Sequence, residues 1–290
     1  MHLPVVDLAD SGAVDELDRA CREVGFFRLV GHGLTDDDGA LLIEASRELL
    51  ATPSAEIDTM LVADDTNFRG FEVAGERLAF EIGREGSEDG RHLVGPNRWP
   101  ECGPVAKSTI EVHYDAFTVI GNRILSLLIE ARRLGPELDD RTVTGGPAHL
   151  RLWRYPPGHI ELPAHADHGF LTLLIAPEAG LEVQSPDGSF FAAPPVGGEE
   201  LLVNVARLLA HASGDAYLPA VHRVRSNSAV ERFSAPFFYA PADDLLIAPP
   251  ADTSDQAQSV GDYIHWGYTW QHRVNAGASV EDATDGALES

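Results

Sequence analysis

The order of apolar and polar positions divides the chain into two stretches of different character. Leu3 to Leu8 reads as a short strand, and Asp10 or Ser11 can cap a helix over about Gly12 to Val24. There Val14, Leu17, Ala20, Cys21 and Val24 keep helical spacing, and Gly25 ends it. Phe26-Phe27-Arg28-Leu29-Val30 follows as a strand stopped by Gly31-His32-Gly33. Thr35 then caps a helix running to about Leu50, with Pro53 beyond its end. Ala55 to Val62 has some helical character, while Phe68 to Val73 and Arg77 to Ile82 read as strands or ordered loop. Gly83 to Gly90 is polar and turn-rich, and Gly95-Pro96-Asn97-Arg98-Trp99-Pro100 must be loop, since two prolines interrupt any ladder. From about Pro104 to Leu134, Val112, Ala116, Val119, Ile120, Ile124, Leu127, Leu128 and Ala131 hold i, i+3, i+4 spacing. That segment predicts one long helix, closed by Gly135-Pro136.

After about Ala148 the period changes from helical to strand-like. Short apolar runs recur at 149–155, 159–165, 169–175, 180–184, 189–192, 200–205, 220–226 and 231–239, with Asp187-Gly188 as a hairpin signal and one helical turn near Leu208 to Ala212. Evenly spaced short strands of this kind suggest a sandwich or a double-stranded β-helix. The expected fold is therefore mainly β with flanking helices: a jelly-roll core over about 148–240 with the long helix packed against it. An N-terminal region of about 1–104 precedes it and a C-terminal helix of about 254–273 follows, all in one domain over 1–278. The acidic, small residues 279–290 are expected to be disordered.

Composition adds few constraints. A 290-residue chain with 44% hydrophobic residues can bury a sizeable core. A formal charge of −25 argues against nucleic acid and anionic membranes as partners. Two cysteines, Cys21 and Cys102, make no disulfide framework. The N-terminus lacks the features of a signal peptide, and no apolar run approaches the roughly 20 residues that span a bilayer. A soluble, cytoplasmic protein is the expectation.

The chemistry centres on Pro163-Ala164-His165-Ala166-Asp167-His168-Gly169-Phe170-Leu171-Thr172-Leu173-Leu174-Ile175. In an extended segment His165 and Asp167 project from one face, so an imidazole and a carboxylate converge. A second histidine would complete the two-His-one-carboxylate set that holds non-haem Fe(II) with positions left open. His222, in a strand-like stretch well downstream, is the candidate. Ten residues on, Arg232 and Ser234 share a strand face and could grip the far carboxylate of a small dicarboxylate. Tyr155, before Pro156-Pro157, could donate a further hydrogen bond. His168 projects away from Asp167 and reads as a supporting or surface residue. Phe71, Phe80, Arg98 and Phe238 are pocket candidates that core or surface placement explains more simply.

The ordered set His165-x-Asp167, His222 and Arg232-x-Ser234, followed by Ala235-Pro236-Phe237-Phe238, resembles the isopenicillin-N-synthase-like branch of the Fe(II)/2-oxoglutarate-dependent dioxygenase superfamily. So do Arg154-Tyr155-Pro156-Pro157, Gly180-Leu181-Glu182-Val183, Leu3-Pro4-Val5-Val6-Asp7-Leu8, Gly25-Phe26-Phe27 and Gly31-His32-Gly33-Leu34, and the likeness spans roughly Leu3 to Arg273. The resemblance implies Fe(II) held by His165, Asp167 and His222, with 2-oxoglutarate as co-substrate meeting Arg232, Ser234 and Tyr155, and O₂ as oxidant. It implies oxidation of a C–H bond in a small molecule, by hydroxylation, desaturation or cyclisation, in bacterial specialised metabolism. Two alternatives stay open: a 2-oxoglutarate-independent oxidase of the isopenicillin N synthase type, and a non-catalytic metal-binding sensor. The sequence departs from the family at Ala206-Arg207 and at His211-Ala212-Ser213-Gly214, positions the family places beside the substrate pocket or its rim.

Overall fold

A computed structural model describes residues 2–62, 67–86, 93–101, 103–247, 258–275 and 277. The expected tail at 279–290 lies outside the described residues, as does Cys102; Cys21 is buried as a free thiol.

The N-terminal region alternates strand and helix: β1 (Val5–Asp7), α1 (Ala13–Glu23), β2 (Phe26–Val30), α2 (Asp36–Leu49) and a single turn, α3 (Ser54–Ile57). Thr35 does cap α2, through a reciprocal capping box with Asp38. By contrast, α1 starts at Gly12 without a side-chain cap; Asp10 instead accepts the Gly12 N–H in the turn before it. β3 (Gly70–Ala74) and β4 (Arg77–Gly83) form a hairpin, and α4 (Pro104–Glu130) is the long helix. The core strands are β5 (Ala148–Tyr155), β6 (Gly158–His165), β7 (Leu171–Ile175), β8 (Leu181–Gln184), β9 (Phe190–Ala192), β10 (Leu201–Val205), β11 (His222–Ser228) and β12 (Arg232–Tyr239), with α5 (Arg207–Ala212) after β10. The C-terminal helix, α6, runs Val260–Asn275. It starts later than the expected 254, because Gln258 and Ser259 are extended and pair with Leu246 and Ile247.

Two sheets face each other. The larger has eight strands in the order β1-β2-β10-β7-β12-β5-β4-β3, and the smaller four in the order β6-β11-β8-β9. This is the jelly roll, extended on one edge by the β3–β4 hairpin and on the other by β1 and β2.

The larger sheet is two-faced because side chains alternate along a strand. One set, Leu171, Leu173 and Ile175 of β7, Phe233, Ala235, Phe237 and Tyr239 of β12, and Leu78, Phe80 and Ile82 of β4, packs with α2 and α4 in the main apolar core. The other set faces the smaller sheet and carries the polar groups: Thr172 on β7, Arg232 and Ser234 on β12, His149 and Arg151 on β5, Glu81 on β4 and Asn204 on β10. Register decides which set points where, and a one-residue slip would exchange them.

Candidate metal and co-substrate site

Three of the side chains singled out from sequence meet between the sheets. The ligand atoms offered by His165, Asp167 and His222 all lie within 4.8 Å of one another. Asp167 Oδ1 is 3.9 Å from Nε2 of both histidines, and the two rings sit 4.4 Å apart. β11 brings the histidines together by pairing His222 with His165 across the ladder. The register then shifts, so that Val224 faces Leu162, which puts a bulge at Pro163-Ala164. β6 is an edge strand, where a proline and a bulge are tolerated and re-aim side chains.

Backbone and polar neighbours orient each ligand atom. Nδ1 of His165 donates to the Pro163 carbonyl and Nδ1 of His222 to that of Ala220, both at 2.9 Å. This leaves both Nε2 lone pairs facing the shared centre. On Asp167, Oδ2 accepts from Thr172 Oγ1 at 2.5 Å and Asn204 Nδ2 at 3.0 Å, so Oδ1 is turned toward the histidines. Burial works against ionising Asp167, but the two imidazoles and these two donors outweigh it and hold its pKa below the usual carboxylate range. Burial and the neighbouring His222 lower the pKa of His165. A neutral imidazole and an ionised carboxylate are the states a divalent cation requires. The donor set is two nitrogens and one oxygen on one side only, which fits Fe(II) with open positions.

The same centre opens into a slot of about 80 Å³ lined by Trp153, Tyr155, Leu174, Arg232 and Ser234. Arg232 is 2% exposed, and its Nε and Nη1 have no hydrogen-bond partner among the described residues. Its guanidinium lies 4.8 Å over the Tyr155 ring. A buried, unpaired cation is costly, so the slot calls for an anion. Ser234 stands two residues along the same face. Tyr155 sits opposite Arg232 in the ladder and packs against it; no hydrogen bond from its hydroxyl is present among the described residues.

A larger cavity of about 530 Å³ lies on the other side of His165 and Asp167. α6 supplies Trp266, Tyr268, Trp270, Gln271 and Asn275, and β12 supplies Phe238. Phe238 therefore lines a cavity, against the simpler core assignment; it occupies the inward set of β12, which carries the site. Phe71 and Phe80 are fully buried core residues outside both cavities. Arg98 donates to the Thr59 and Leu61 carbonyls on the surface. His168 is neither surface nor bystander: it packs edge-on against Tyr263, Trp266 and Trp270 and lines the cavity. Gly267 makes this possible, since a Cβ there would come within 2.8 Å of the His168 ring. Of the two departures from the family pattern, Arg207 lines the cavity and the 211–214 stretch lines neither.

Sequence reading missed a second polar cluster behind this cavity. Glu81 accepts from Arg151 at 3.0 Å, and His272 lies 3.3 Å from both Glu72 and Glu81. Asn275 also donates to Glu72, at 2.7 Å. Burial disfavours charge on His272, but the two carboxylates overcome it and raise its pKa to about 9. Glu81 is held well below the carboxylate range, mainly by Arg151 and His272 against its own burial. His149, between Arg69 and this cluster, is pushed down to about 3 by burial and the nearby guanidiniums. Two carboxylates matched by two cations leave no net charge for a metal, so this cluster is a charge-balanced joint between α6 and strands β3, β4 and β5.

A sheet-rich jelly roll holding a two-His-one-carboxylate centre beside a buried arginine is the architecture of a non-haem metal oxygenase. Residues 3–102 match the N-terminal region of non-haem dioxygenases in morphine synthesis, and residues 146–241 match the 2OG-Fe(II) oxygenase superfamily. A 2-oxoglutarate-dependent dioxygenase of Didymella fabae is 30% identical, covering 78% of each chain. Homoarginine-6-hydroxylase 2-ODD-C23.1 of Arabidopsis thaliana is 28% identical over 84% of this chain and 81% of its own. The crystal structure of a full-length Neurospora crassa protein in complex with alpha-KG and thymine overlays with a TM-score of 0.76 at 20% identity, covering 94% of this chain and 96% of that one; it shows the shared fold. The chain belongs to the 2-oxoglutarate- and Fe(II)-dependent oxygenases. It is an oxidoreductase whose expected requirements are Fe(II), 2-oxoglutarate and O₂. Among the described residues no helix is long and apolar enough to cross a membrane.

Proposed function

We propose that this oxygenase oxidises a C–H bond of a small, largely apolar molecule in specialised metabolism, with hydroxylation as the principal outcome. His165, Asp167 and His222 hold the iron, and Arg232 with Ser234 holds the far carboxylate of 2-oxoglutarate. The observation that carries this reading is Arg232: a buried guanidinium without a partner among the described residues, in a slot that also opens onto the three ligand side chains. When bound, Fe(II) supplies O₂ activation coupled to decarboxylation of the 2-oxo acid. The chain's own groups do the rest. Pro163 and Ala220 carbonyls fix the imidazole tautomers, while Thr172 and Asn204 orient the Asp167 carboxylate. Arg232 neutralises the co-substrate's distal charge and sets its depth. The aromatic wall of α6 presents substrate to the open side and keeps water out.

The direct test measures succinate and CO₂ formed with Fe(II), ascorbate and 2-oxoglutarate across a broad small-molecule panel. Turnover that ignores 2-oxoglutarate altogether would overturn the reading. Arg232→Leu is expected to raise the KM for 2-oxoglutarate by about 10- to 100-fold, the size of a lost charge-assisted contact. Thr172→Val removes one orienting donor from Asp167 and is expected to weaken Fe(II) binding by about 10- to 100-fold. Metal titration of the purified variant, with its unfolding midpoint as control, checks this.

A further inference from the structure

We propose that Arg77 is the specificity-determining residue for the primary substrate, selecting molecules that carry a carboxylate at the end remote from the oxidised carbon. This rests on the oxygenase reading above and adds the charge of its substrate.

Arg77 opens β4 and points into the space between the sheets, where it lines the slot with Trp153, His165 and Asp167. Its Nε donates to the Ala74 carbonyl across the β3–β4 turn at 3.2 Å, and its guanidinium lies 5.2 Å over the Trp153 ring. The side chain is thus held from two directions with its terminal nitrogens left over. No carboxylate of the described residues lies within ion-pair distance of it. The chain carries 46 acidic and 21 basic residues, so acidic partners are plentiful, yet none of the described ones pairs with Arg77.

The other charges around the two cavities are committed. Among the described residues lining either cavity, Asp167 is the one acidic residue, and it belongs to the metal set. Arg151 is neutralised by Glu81 and Glu72. Arg232 is taken by the co-substrate, and Arg207 already has a partner. An ammonium or guanidinium on the substrate would therefore find no uncommitted carboxylate among the described lining residues, whereas an anion finds Arg77.

Arg77 is also placed to act on a different ligand from Arg232. One residue beyond the Leu78–Arg154 pair, it stands on the same face of the sheet as Tyr155 and Arg232, with β5 between the two arginines. Neighbouring strands are about 4.8 Å apart, so the backbones of the two arginines are separated by about 10 Å. The two guanidiniums lie over different rings, Arg77 over Trp153 and Arg232 over Tyr155, and those rings are 5.8 Å apart. Toward the larger cavity, Leu162, His165, Asp167, Phe238, Gln271 and Asn275 line both spaces, so the two adjoin there. An apolar body against Trp266, Trp270 and Phe238 can thus reach Arg77 with one anionic arm.

The test uses the full chain loaded with Fe(II) and 2-oxoglutarate without O₂, so that binding is read apart from turnover. Quenching of tryptophan fluorescence is followed with matched pairs of aromatic and aliphatic acids and their primary amides, from phenylacetate to naphthaleneacetate. Wild type is expected to bind at least one acid about 10- to 100-fold more tightly than its amide. Arg77→Leu should bring that acid to the affinity of the amide, and Arg77→Lys should restore part of the difference. The unfolding midpoint of each variant shows whether it is folded. A panel in which no acid exceeds its amide overturns the proposal. So does an Arg77→Leu protein that keeps the preference, or one whose 2-oxoglutarate affinity falls instead. Loss of 2-oxoglutarate-dependent succinate formation in wild type would count against the oxygenase reading and leaves this binding result intact.

Discussion

Asp167→Ala is expected to abolish succinate formation and to cost Fe(II) affinity more than the about 10- to 100-fold attached to an outer partner such as Thr172. The carboxylate is the only anionic donor of the set, and both imidazoles approach the same oxygen, Oδ1. Removing it leaves two neutral nitrogens and no charge to offset a dication. The fold should survive. Thr172 and Asn204 each lose an acceptor, at a cost of about 1–3 kcal/mol per orphaned donor. Against that, the variant sheds the desolvation cost that burial imposes on this carboxylate. Metal titration and an unfolding curve on one preparation separate the outcomes. Full Fe(II) binding by the alanine variant would show that the convergence of 165, 167 and 222 serves another purpose.

Glu81→Leu is expected to destabilise the protein by about 3–5 kcal/mol, the penalty for breaking a buried ion pair from one side. Arg151 and His272 would both remain with Glu72 as their shared carboxylate. Replacing Arg151 by Met in the same chain should recover much of the loss, since an apolar pair of similar volume avoids the desolvation penalty. The cluster also sets an alkaline limit. His272 has a pKa near 9 in the folded chain against about 6.5 when unfolded. Between those values the folded protein keeps a proton that the unfolded chain has released. The stabilisation is therefore complete below about pH 6.5 and disappears as pH rises through about 9. Denaturation midpoints from pH 6 to 10 should fall along that curve in wild type, and His272→Gln should flatten it. The acid side runs oppositely. Glu81 is depressed below its usual range, so its contribution is present above about pH 4.5 and disappears as pH falls through its lower folded value.

What the sequence made legible is what a strand's alternation carries. His165 ends β6 with Asp167 two residues beyond it, Arg232 and Ser234 share one face of β12, and both strands fall within two residues of their expected ends. The long helix is found where its periodicity puts it, ending at Glu130 rather than near Leu134. Partners that arrive from elsewhere in the chain left no local mark. Asn204 reaches Asp167 from β10, 37 positions away. The Glu72–Glu81–Arg151–His272 joint gathers a hairpin, a core strand and the last helix, each of its members looking like a solvated charge in one dimension. Phe238 was open to the same face argument as Ser234, four residues before it, yet its apolar type favoured the core. The start of α6 moved because Gln258 and Ser259 found a strand partner in Leu246–Ile247, a pairing no helical periodicity announces.

The division of the larger sheet into an oily side and a working side also bears on how such an enzyme can change over generations. Losing or gaining one codon within β12 would drive Arg232 and Ser234 among the helices and bring Phe233 and Ala235 round to the co-substrate. Foldedness and turnover would fail in the same step. New substrate preferences must then arise by exchange of single side chains, chiefly along α6 and at the β3–β4 hairpin, where the wall can vary while the reading frame of the barrel stays fixed.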